Sequence, residues 1–123
     1  MSDELSRLPP NVQERLLRLQ QLQQTLQSIL AQKQQVEMEK TEVDQTVVEL
    51  QKTAEDAVIY KAIGSLLVKA EKPKVTEELV ERKELLDTRS TVLARQEERM
   101  RSQIKEAQTK LQEDLSPVSQ PSS

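Results

Sequence analysis

The side chains that could carry chemistry in this 123-residue chain are carboxylates, amines and guanidinium groups, because histidine and cysteine are absent. Without them the usual general base, nucleophile and zinc ligands are missing. Carboxylates remain, but they alternate with basic residues along helical segments, which offer no pocket to shift a pKa. The single glycine also excludes a glycine-rich phosphate loop. We therefore predict a protein that is not an enzyme and needs neither a cofactor nor a metal.

The composition predicts long helices rather than an ordinary globular core. Hydrophobic residues make up 35% of the chain and charged residues 32%, with one tyrosine as the only aromatic residue. The charge is mixed and the net value is −3, which is also a poor match to simple disorder. No apolar run approaches the roughly 20 residues that cross a bilayer, and the start of the chain lacks a signal pattern. The expected location is cytoplasmic, with no membrane partner.

The first helical segment carries an apolar heptad. Pro9 and Pro10 disfavour helix upstream, and Asn11 with Glu14 resembles a capping box. We predict a tail over residues 1–10 and helix 1 over 11–57. Two sets of positions each repeat every seven residues, and together they give the average spacing of 3.5 residues that is typical of a coiled-coil seam. They are Val12, Leu19, Leu26, Lys33, Lys40, Val47 and Ala54, and Arg15, Leu22, Ile29, Val36, Val43, Leu50 and Ala57.

A short β-hairpin is predicted between the helices, over residues 58–75. Two apolar runs rich in β-branched residues meet at Gly64 and Ser65, and glycine accepts the positive φ of a two-residue turn. A lone hairpin of this length is not stable in water, so it must pack against something else. Its lysines are more consistent with protection of strand edges than with nucleic-acid binding, because aromatic residues for stacking are nearly absent.

The second helical segment is predicted over residues 76–115. Pro73 is expected to stop the second strand, and Thr76 to cap a helix whose first turn contains Glu77 and Glu78. Its seam is weak in the middle, with Leu79, Leu86, Leu93, Met100 and Ala107 at one set of heptad positions. Residues 116–123 form a proline- and serine-rich tail that is predicted to be disordered.

Two long helices joined by a folded-back connector should pair antiparallel as a coiled coil. If Ala57 lies level with Glu77, the seam lysines Lys33 and Lys40 fall near Glu97 and Glu98. The polar layers of the two helices would then set the register. An alternative interpretation is that these lysines extend their ammonium groups out of the seam into water.

This layout resembles the prefoldin family. The hairpin motif YKAIGSLLVKA lies between two heptad arms, and the stretches LPPNVQERLLRLQQLQQTLQ and KELLDTRSTVLARQEERM are similar to the archaeal β-type pattern. A single hairpin between the helices is the mark of the β-type subunit. The resemblance implies a mainly α fold in which the hairpins of several subunits form a shared β-barrel body. It also implies a hetero-hexamer of two α-type and four β-type subunits.

The function implied by this resemblance is that of an ATP-independent chaperone. Prefoldins bind unfolded polypeptides at the distal tips of their coiled coils and transfer them to a group II chaperonin. The implied client-binding residues are Leu5, Leu8, Val12, Leu16, Leu17, Ile104, Leu111 and Leu115. Subunit assembly would use Val58, Ile59, Tyr60, Ile63, Gly64, Leu66, Leu67 and Val68. Leu16 and Leu17 are adjacent, so only one of them can face the seam well.

Acidic residues near the end of helix 2 suggest a second contact surface. Glu106, Glu113 and Asp114 are candidates for docking on the chaperonin, where charge complementarity would favour a fast, salt-sensitive transfer. A solvated helix face is the simpler interpretation of any one of these charges. The alternative for the whole chain is a coiled-coil scaffold or adaptor that self-associates without chaperone activity.

Overall fold

The computed structural model describes residues 7–115. Helix α1 (Pro10–Gln51) is followed by strands β1 (Ile59–Ile63) and β2 (Leu66–Ala70) and by helix α2 (Lys72–Leu115). The predicted architecture of two long helices joined by one antiparallel hairpin is confirmed. The predicted tail at 116–123 and the first six residues of the N-terminal tail lie outside the described residues. Between residues 7 and 115, no helix is both long and apolar enough to cross a membrane.

The chain divides into two compact units, and each contains a segment of both helices. We call residues 33–92 the hairpin unit. The terminal unit is described over residues 7–32 and 93–115. The boundary falls inside the two helices, so neither unit corresponds to one element of secondary structure.

The hairpin unit has a narrow apolar core with a rim of charges. Lys40 Nζ lies 3.1 Å from Asp87 Oδ1, and Lys83 Nζ lies 2.7 Å from Asp44 Oδ1. The residue number rises along one helix as it falls along the other, so the two helices are antiparallel here. Four apolar side chains of this unit are buried: Val36, Val43, Leu50 and Leu86. On α1 these positions recur every seven residues, as the predicted seam requires.

The terminal unit continues the same periodicity on its own segments. Its buried apolar side chains are Val12, Leu22, Ile29 and Leu93. The Arg15 guanidinium on α1 forms an ion pair with the Asp114 carboxylate on α2. The predicted seam is therefore confirmed in this unit too, and Arg15 is one of the charged residues that interrupt its apolar repeat.

Helix α1 begins one residue earlier than predicted and is capped differently. Asn11 lies inside the helix, so the predicted capping box was wrong. The Pro9 carbonyl instead accepts hydrogen bonds from the backbone N–H groups of Val12 and Gln13, at 3.0 and 3.1 Å. Pro10 takes the first helical position, where its missing N–H costs nothing because no carbonyl is available to accept it.

Helix α1 also ends six residues before Ala57, at Gln51, so the predicted end was wrong. The N–H groups of Lys52 and Thr53 donate to carbonyls three residues back, and Thr53 Oγ1 donates to the Leu50 carbonyl at 2.6 Å. These contacts satisfy carbonyls that a continuing helix would otherwise have used. Because residues 11–57 contain neither glycine nor proline, no strong helix-ending signal marks this end in the sequence.

Helix α2 begins at Lys72, four residues before the predicted cap at Thr76. The Glu71 carbonyl accepts the Val75 N–H at 3.0 Å, and Pro73 lies in the first turn, where proline is tolerated. Thr76 Oγ1 donates to the Lys72 carbonyl at 2.8 Å, so this side chain is an interior residue of the helix. The prediction that Pro73 stops the second strand was wrong, because β2 ends at Ala70 and Pro73 is the second residue of α2.

The register predicted for Lys40 was wrong. Its ammonium group pairs with Asp87 and, at 3.7 Å, with Glu37 on its own helix, while the prediction placed it near Glu97 and Glu98. The prediction assumed that the connector spans residues 58–75. The helices in fact end at Gln51 and begin again at Lys72, so different residues of the two helices lie side by side. The hydrogen bond from Lys40 to Asp87 raises the pKa of Lys40 above its ordinary value, despite partial desolvation.

Candidate functional sites in the hairpin and the terminal unit

The hairpin presents apolar side chains on both of its faces. Its register runs from the pair Ile59 and Ala70 to the pair Ile63 and Leu66. Side chains alternate along a strand, and directly paired residues share a face. One face therefore carries Ile59, Lys61, Ile63, Leu66, Val68 and Ala70, and the other carries Tyr60, Ala62, Leu67 and Lys69. The apolar alternation of the sequence could not separate these two faces, but the observed register does.

The turn of the hairpin depends on glycine. Gly64 has a φ of +58°, and no other described residue has a positive φ. Ile63 pairs with Leu66, so Gly64 and Ser65 form a two-residue loop with positive φ at the first position alone. That combination is a type II′ turn, whose twist matches the strands. The predicted role of Gly64 in the turn agrees with this geometry.

The predicted assembly residues are largely exposed to solvent within the chain. Ile59 is half-buried, Leu67 is 73% exposed, and the remaining apolar residues of the set are also exposed. The two-stranded sheet pairs only with itself among residues 7–115, so each strand keeps one unpaired edge. An apolar surface with open strand edges is characteristic of a protein interaction site.

Ion pairs attach the hairpin and its flanks to the helices of the same unit. Lys61 Nζ on β1 lies 2.6 Å from Glu78 Oε2 on α2, and this hydrogen bond lowers the pKa of Glu78. Lys72 Nζ donates to the Thr53 carbonyl at 2.8 Å and lies 3.7 Å from Glu55 Oε1. Two of the lysines expected to protect strand edges thus contact the body of the unit.

In the terminal unit, the predicted client-binding residues differ widely in exposure. Leu17 is 60% exposed and Leu115 is also exposed, whereas Val12 is only 2% exposed. Four others are half-buried: Leu8, Leu16, Ile104 and Leu111. Leu5 lies outside the described residues. Because Val12 is buried, client contact by Val12 requires the residues that cover it to move aside.

The three carboxylates predicted for chaperonin docking lie on the last turns of α2. Asp114 pairs with Arg15 across the helices, and Glu106 lies 3.3 Å from Lys110 Nζ one turn along the same helix. Glu106 and Glu113 are exposed. Their placement presents a mixed surface of paired charges, in which Asp114 also ties the two helix segments together.

Sequence reasoning missed a groove in the terminal unit. It has a volume of about 360 Å³ and lies between segments of the two helices, beside Leu22 on α1 and Ala107 on α2. Two departures from an apolar heptad could have indicated it: the charged Arg15 and the small Ala107, both at seam positions. Sequence reasoning also missed three exposed apolar side chains of the hairpin unit, Met38, Val48 and Val80.

Comparison with known proteins identifies the family. A family model described as "Prefoldin subunit" matches residues 13–117. The chain belongs to the prefoldin family. It is 45% identical to the prefoldin subunit beta of Archaeoglobus fulgidus over 92% of this chain and 97% of that protein. With the prefoldin subunit beta of Thermococcus onnurineus it shares 41% identity, over 93% of this chain and 98% of that protein.

A solved prefoldin structure supports the same conclusion. The crystal structure of the prefoldin beta subunit from Thermococcus strain KS-1 matches with a TM-score of 0.79 and 40% identity. The match covers 90% of this chain and 97% of the solved one. The predicted resemblance to β-type prefoldins is thereby confirmed, and family membership supports a role as a chaperone subunit.

Proposed function

We propose that this prefoldin chain is the β-type subunit of a hetero-hexamer of two α-type and four β-type subunits. The hexamer binds unfolded polypeptides at the terminal units without ATP and transfers them to a group II chaperonin. The observation that carries the proposal is an exposed apolar hairpin, with open strand edges, in a chain of the prefoldin family.

Assembly through the hairpin follows from its unsatisfied edges. Each edge exposes backbone N–H and carbonyl groups that pair readily with another strand. Residues such as Leu66, Leu67 and Tyr60 are more than half exposed in the single chain, so burial against neighbouring hairpins removes apolar surface from water. Closure of several hairpins into a barrel would leave no edge open.

Substitution of Leu67 by Lys tests this assembly. The change places a charge on the apolar hairpin surface, and we expect loss of the hexamer when the chain is mixed with an α-type subunit. Light scattering after size-exclusion chromatography gives the mass. Leu85→Lys is the control, because Leu85 is also exposed but lies on α2. A stable dimer that is indifferent to the α-type partner would instead favour a scaffold.

Client binding is assigned to the terminal unit because it exposes Leu17 beside the half-buried Leu16. Polar residues surround this pair, so each contact with an unfolded chain is weak and readily reversed. Several terminal units acting on one client convert such weak contacts into useful avidity. Weak individual contacts also permit release to a chaperonin without nucleotide hydrolysis.

The double substitution Leu16→Ser and Leu17→Ser tests the client surface. Hexamer mass should stay unchanged, whereas suppression of aggregation of a denatured client, measured by light scattering without nucleotide, should weaken. The control pair is Met38→Ser and Val48→Ser, which removes exposed apolar surface from the hairpin unit. If the two double variants suppressed client aggregation equally well, the assignment of client binding to the terminal unit would be contradicted.

Docking on the chaperonin is assigned to Glu106, Glu113 and Asp114. An electrostatic contact between exposed charges weakens as salt screens it. We expect the triple change to Gln or Asn to reduce chaperonin binding and to flatten its dependence on salt concentration, as measured by surface plasmon resonance. Binding of the unmodified hexamer that is insensitive to salt would refute the electrostatic contact.

A further inference from the structure

The seam of the terminal unit is incompletely filled. Ala107 occupies a position of the heptad where α2 elsewhere has leucine or methionine, and it lies beside the buried Leu22 of α1. Arg15 takes another seam position and directs its guanidinium to Asp114. A small residue and a charged residue at neighbouring levels leave the groove of about 360 Å³ unoccupied by the chain itself.

The rim of this groove is predominantly cationic. Arg15, Arg18 and Lys110 line it, together with the single carboxylate of Glu106. Glu106 pairs with Lys110, and Arg15 pairs with Asp114. Arg18 is exposed and forms no ion pair with any residue that the structure describes. A guanidinium group in this state is well suited to bind a carboxylate through two parallel hydrogen bonds.

We propose that this groove binds an aliphatic side chain of an unfolded client segment that has an acidic residue beside it. The apolar floor at Leu22 and Ala107 accepts the aliphatic group, and the Arg18 guanidinium binds the neighbouring carboxylate. Charge complementarity selects this occupant over a segment rich in lysine, which the cationic rim repels. The inference rests on the proposed function and specifies the class of client segment that the terminal unit prefers.

Matched peptides bound to the full-length chain provide the test. Three unstructured, fluorescently labelled peptides carry a central leucine flanked by Glu, Gln or Lys, and a fourth carries a central serine flanked by Glu. Fluorescence anisotropy at low salt should show about 5-fold tighter binding of the Glu-flanked than of the Lys-flanked leucine peptide, the size expected for exposed ion pairs. The difference should shrink as salt is added.

Two substitutions separate the apolar floor from the charged rim. Ala107→Leu fills the groove, so it should raise the melting temperature and reduce binding of all leucine peptides to the level of the serine peptide. Arg18→Gln should remove most of the preference for Glu flanks and leave the melting temperature unchanged. The matched controls are Ala31→Leu and Arg95→Gln, at exposed sites of the same unit that do not line the groove, and both should bind like the unmodified chain.

Equal affinity for the Glu-flanked and Lys-flanked peptides overturns the inference, as does an Ala107→Leu variant that binds like Ala31→Leu. Concentration-dependent dimerisation that Ala107→Leu abolishes in the absence of peptide also overturns it, since the occupant would then be a second copy of the chain. These failures differ from failure of the proposed function. In that case the assembled hexamer would not suppress client aggregation at all.

Discussion

The hairpin unit and the terminal unit both bury an apolar heptad seam, but they differ in the charged pairs that cross it and in how well it is filled. In the hairpin unit, charged pairs cross between the helices at Lys40 and Asp87, at Lys83 and Asp44, and at Arg82 and Glu39. In the terminal unit, an ion pair between Arg15 and Asp114 crosses between the helix segments, and the seam contains a groove at Ala107.

The two units also differ in how densely their exposed apolar residues are clustered. The hairpin unit displays a dense patch of exposed apolar residues on paired strands, where backbone edges can add hydrogen bonds to apolar burial. The terminal unit displays only scattered leucines among polar residues. A permanent assembly needs the first kind of surface, and reversible capture of varied sequences needs the second.

The largest expected effect comes from the filled seam of the hairpin unit. Leu86 is fully buried, so Leu86→Ala should lower the free energy of unfolding by about 3 kcal/mol through lost apolar burial and a cavity. Leu111→Ala removes the same atoms from a half-buried site of the terminal unit and should cost less. Urea denaturation measures both changes.

The neighbouring Leu85 is 52% exposed and provides the control for this comparison. Leu85→Ala should change the free energy of unfolding by less than about 0.5 kcal/mol. Equal costs at 85 and 86 would mean that the seam does not follow the observed burial. A larger cost at Leu111 than at Leu86 would reverse the contrast between the two units.

The hairpin turn should show the next largest effect. Gly64→Ala should destabilise the turn by roughly 1 to 2 kcal/mol, because an L-residue is strained at a φ of +58°. A Cβ at this position would meet no heavy atom within 4 Å, so backbone strain alone is tested. Ser65→Ala is the control at a negative φ. Hexamer formation, measured by mass against α-type concentration, should weaken for the first change only.

The charged layer of the hairpin unit should give a smaller effect of opposite sign. Lys40 lies at a seam position and pairs with Asp87 and Glu37. Lys40→Leu extends the apolar seam, while exposed ion pairs contribute little, so the melting temperature should rise. Lys52→Leu, on an exposed pair with Glu49, should leave the melting temperature unchanged. A fall for Lys40→Leu would show that this pair stabilises the register.

The smallest expected effect is a dependence on pH. Lys61 lowers the pKa of Glu78 below its ordinary value of 4.5, so the folded state binds this proton less readily than the unfolded state. The stabilisation is therefore present above pH 4.5 and is lost as the pH falls through the lowered pKa. Glu78→Gln should cost stability at pH 7 and cost little at strongly acidic pH, in chemical denaturation at both values. An equal cost at both would refute the pair's role.

At basic pH, the stability of the same unit depends on the protonation of two of its lysines. Hydrogen bonds to Asp44 and Asp87 raise the pKa values of Lys83 and Lys40 above 10.5. Their contribution is complete below pH 10.5 and is lost as the pH rises through the raised values.

Much of the fold could be predicted from particular residues. The recurrence of Leu22, Ile29, Val36, Val43 and Leu50 every seven residues predicted the buried stripe of α1, because an apolar face must leave water whatever the details of its partner. Gly64 between two β-branched runs predicted the turn. Of the candidate site, the sequence indicated that part of the Leu16 and Leu17 pair stays exposed, since adjacent helical residues point in different directions, and the structure shows that Leu17 is the more exposed of the two.

Other features could not be predicted because they depend on contacts distant in sequence. Val12 was expected to bind clients, yet only 2% of its surface is exposed. The end of α1 depends on side-chain and backbone hydrogen bonds at Thr53, which no helix propensity specifies. The groove at Ala107 exists only because Leu22 and Arg15 lie beside it on another helix.

The sequence by itself determined the two heptad stripes, the hairpin with its glycine turn, and the family to which these belong. Only the tertiary structure decided where the helices end, which charges pair and where the seam is unfilled. The physical reason is the repeat itself. A heptad pattern shifted by seven residues presents nearly the same apolar stripe, so periodicity alone leaves the register open. Local contacts at the connector and the specific pair of Lys40 with Asp87 identify which of these registers the chain adopts.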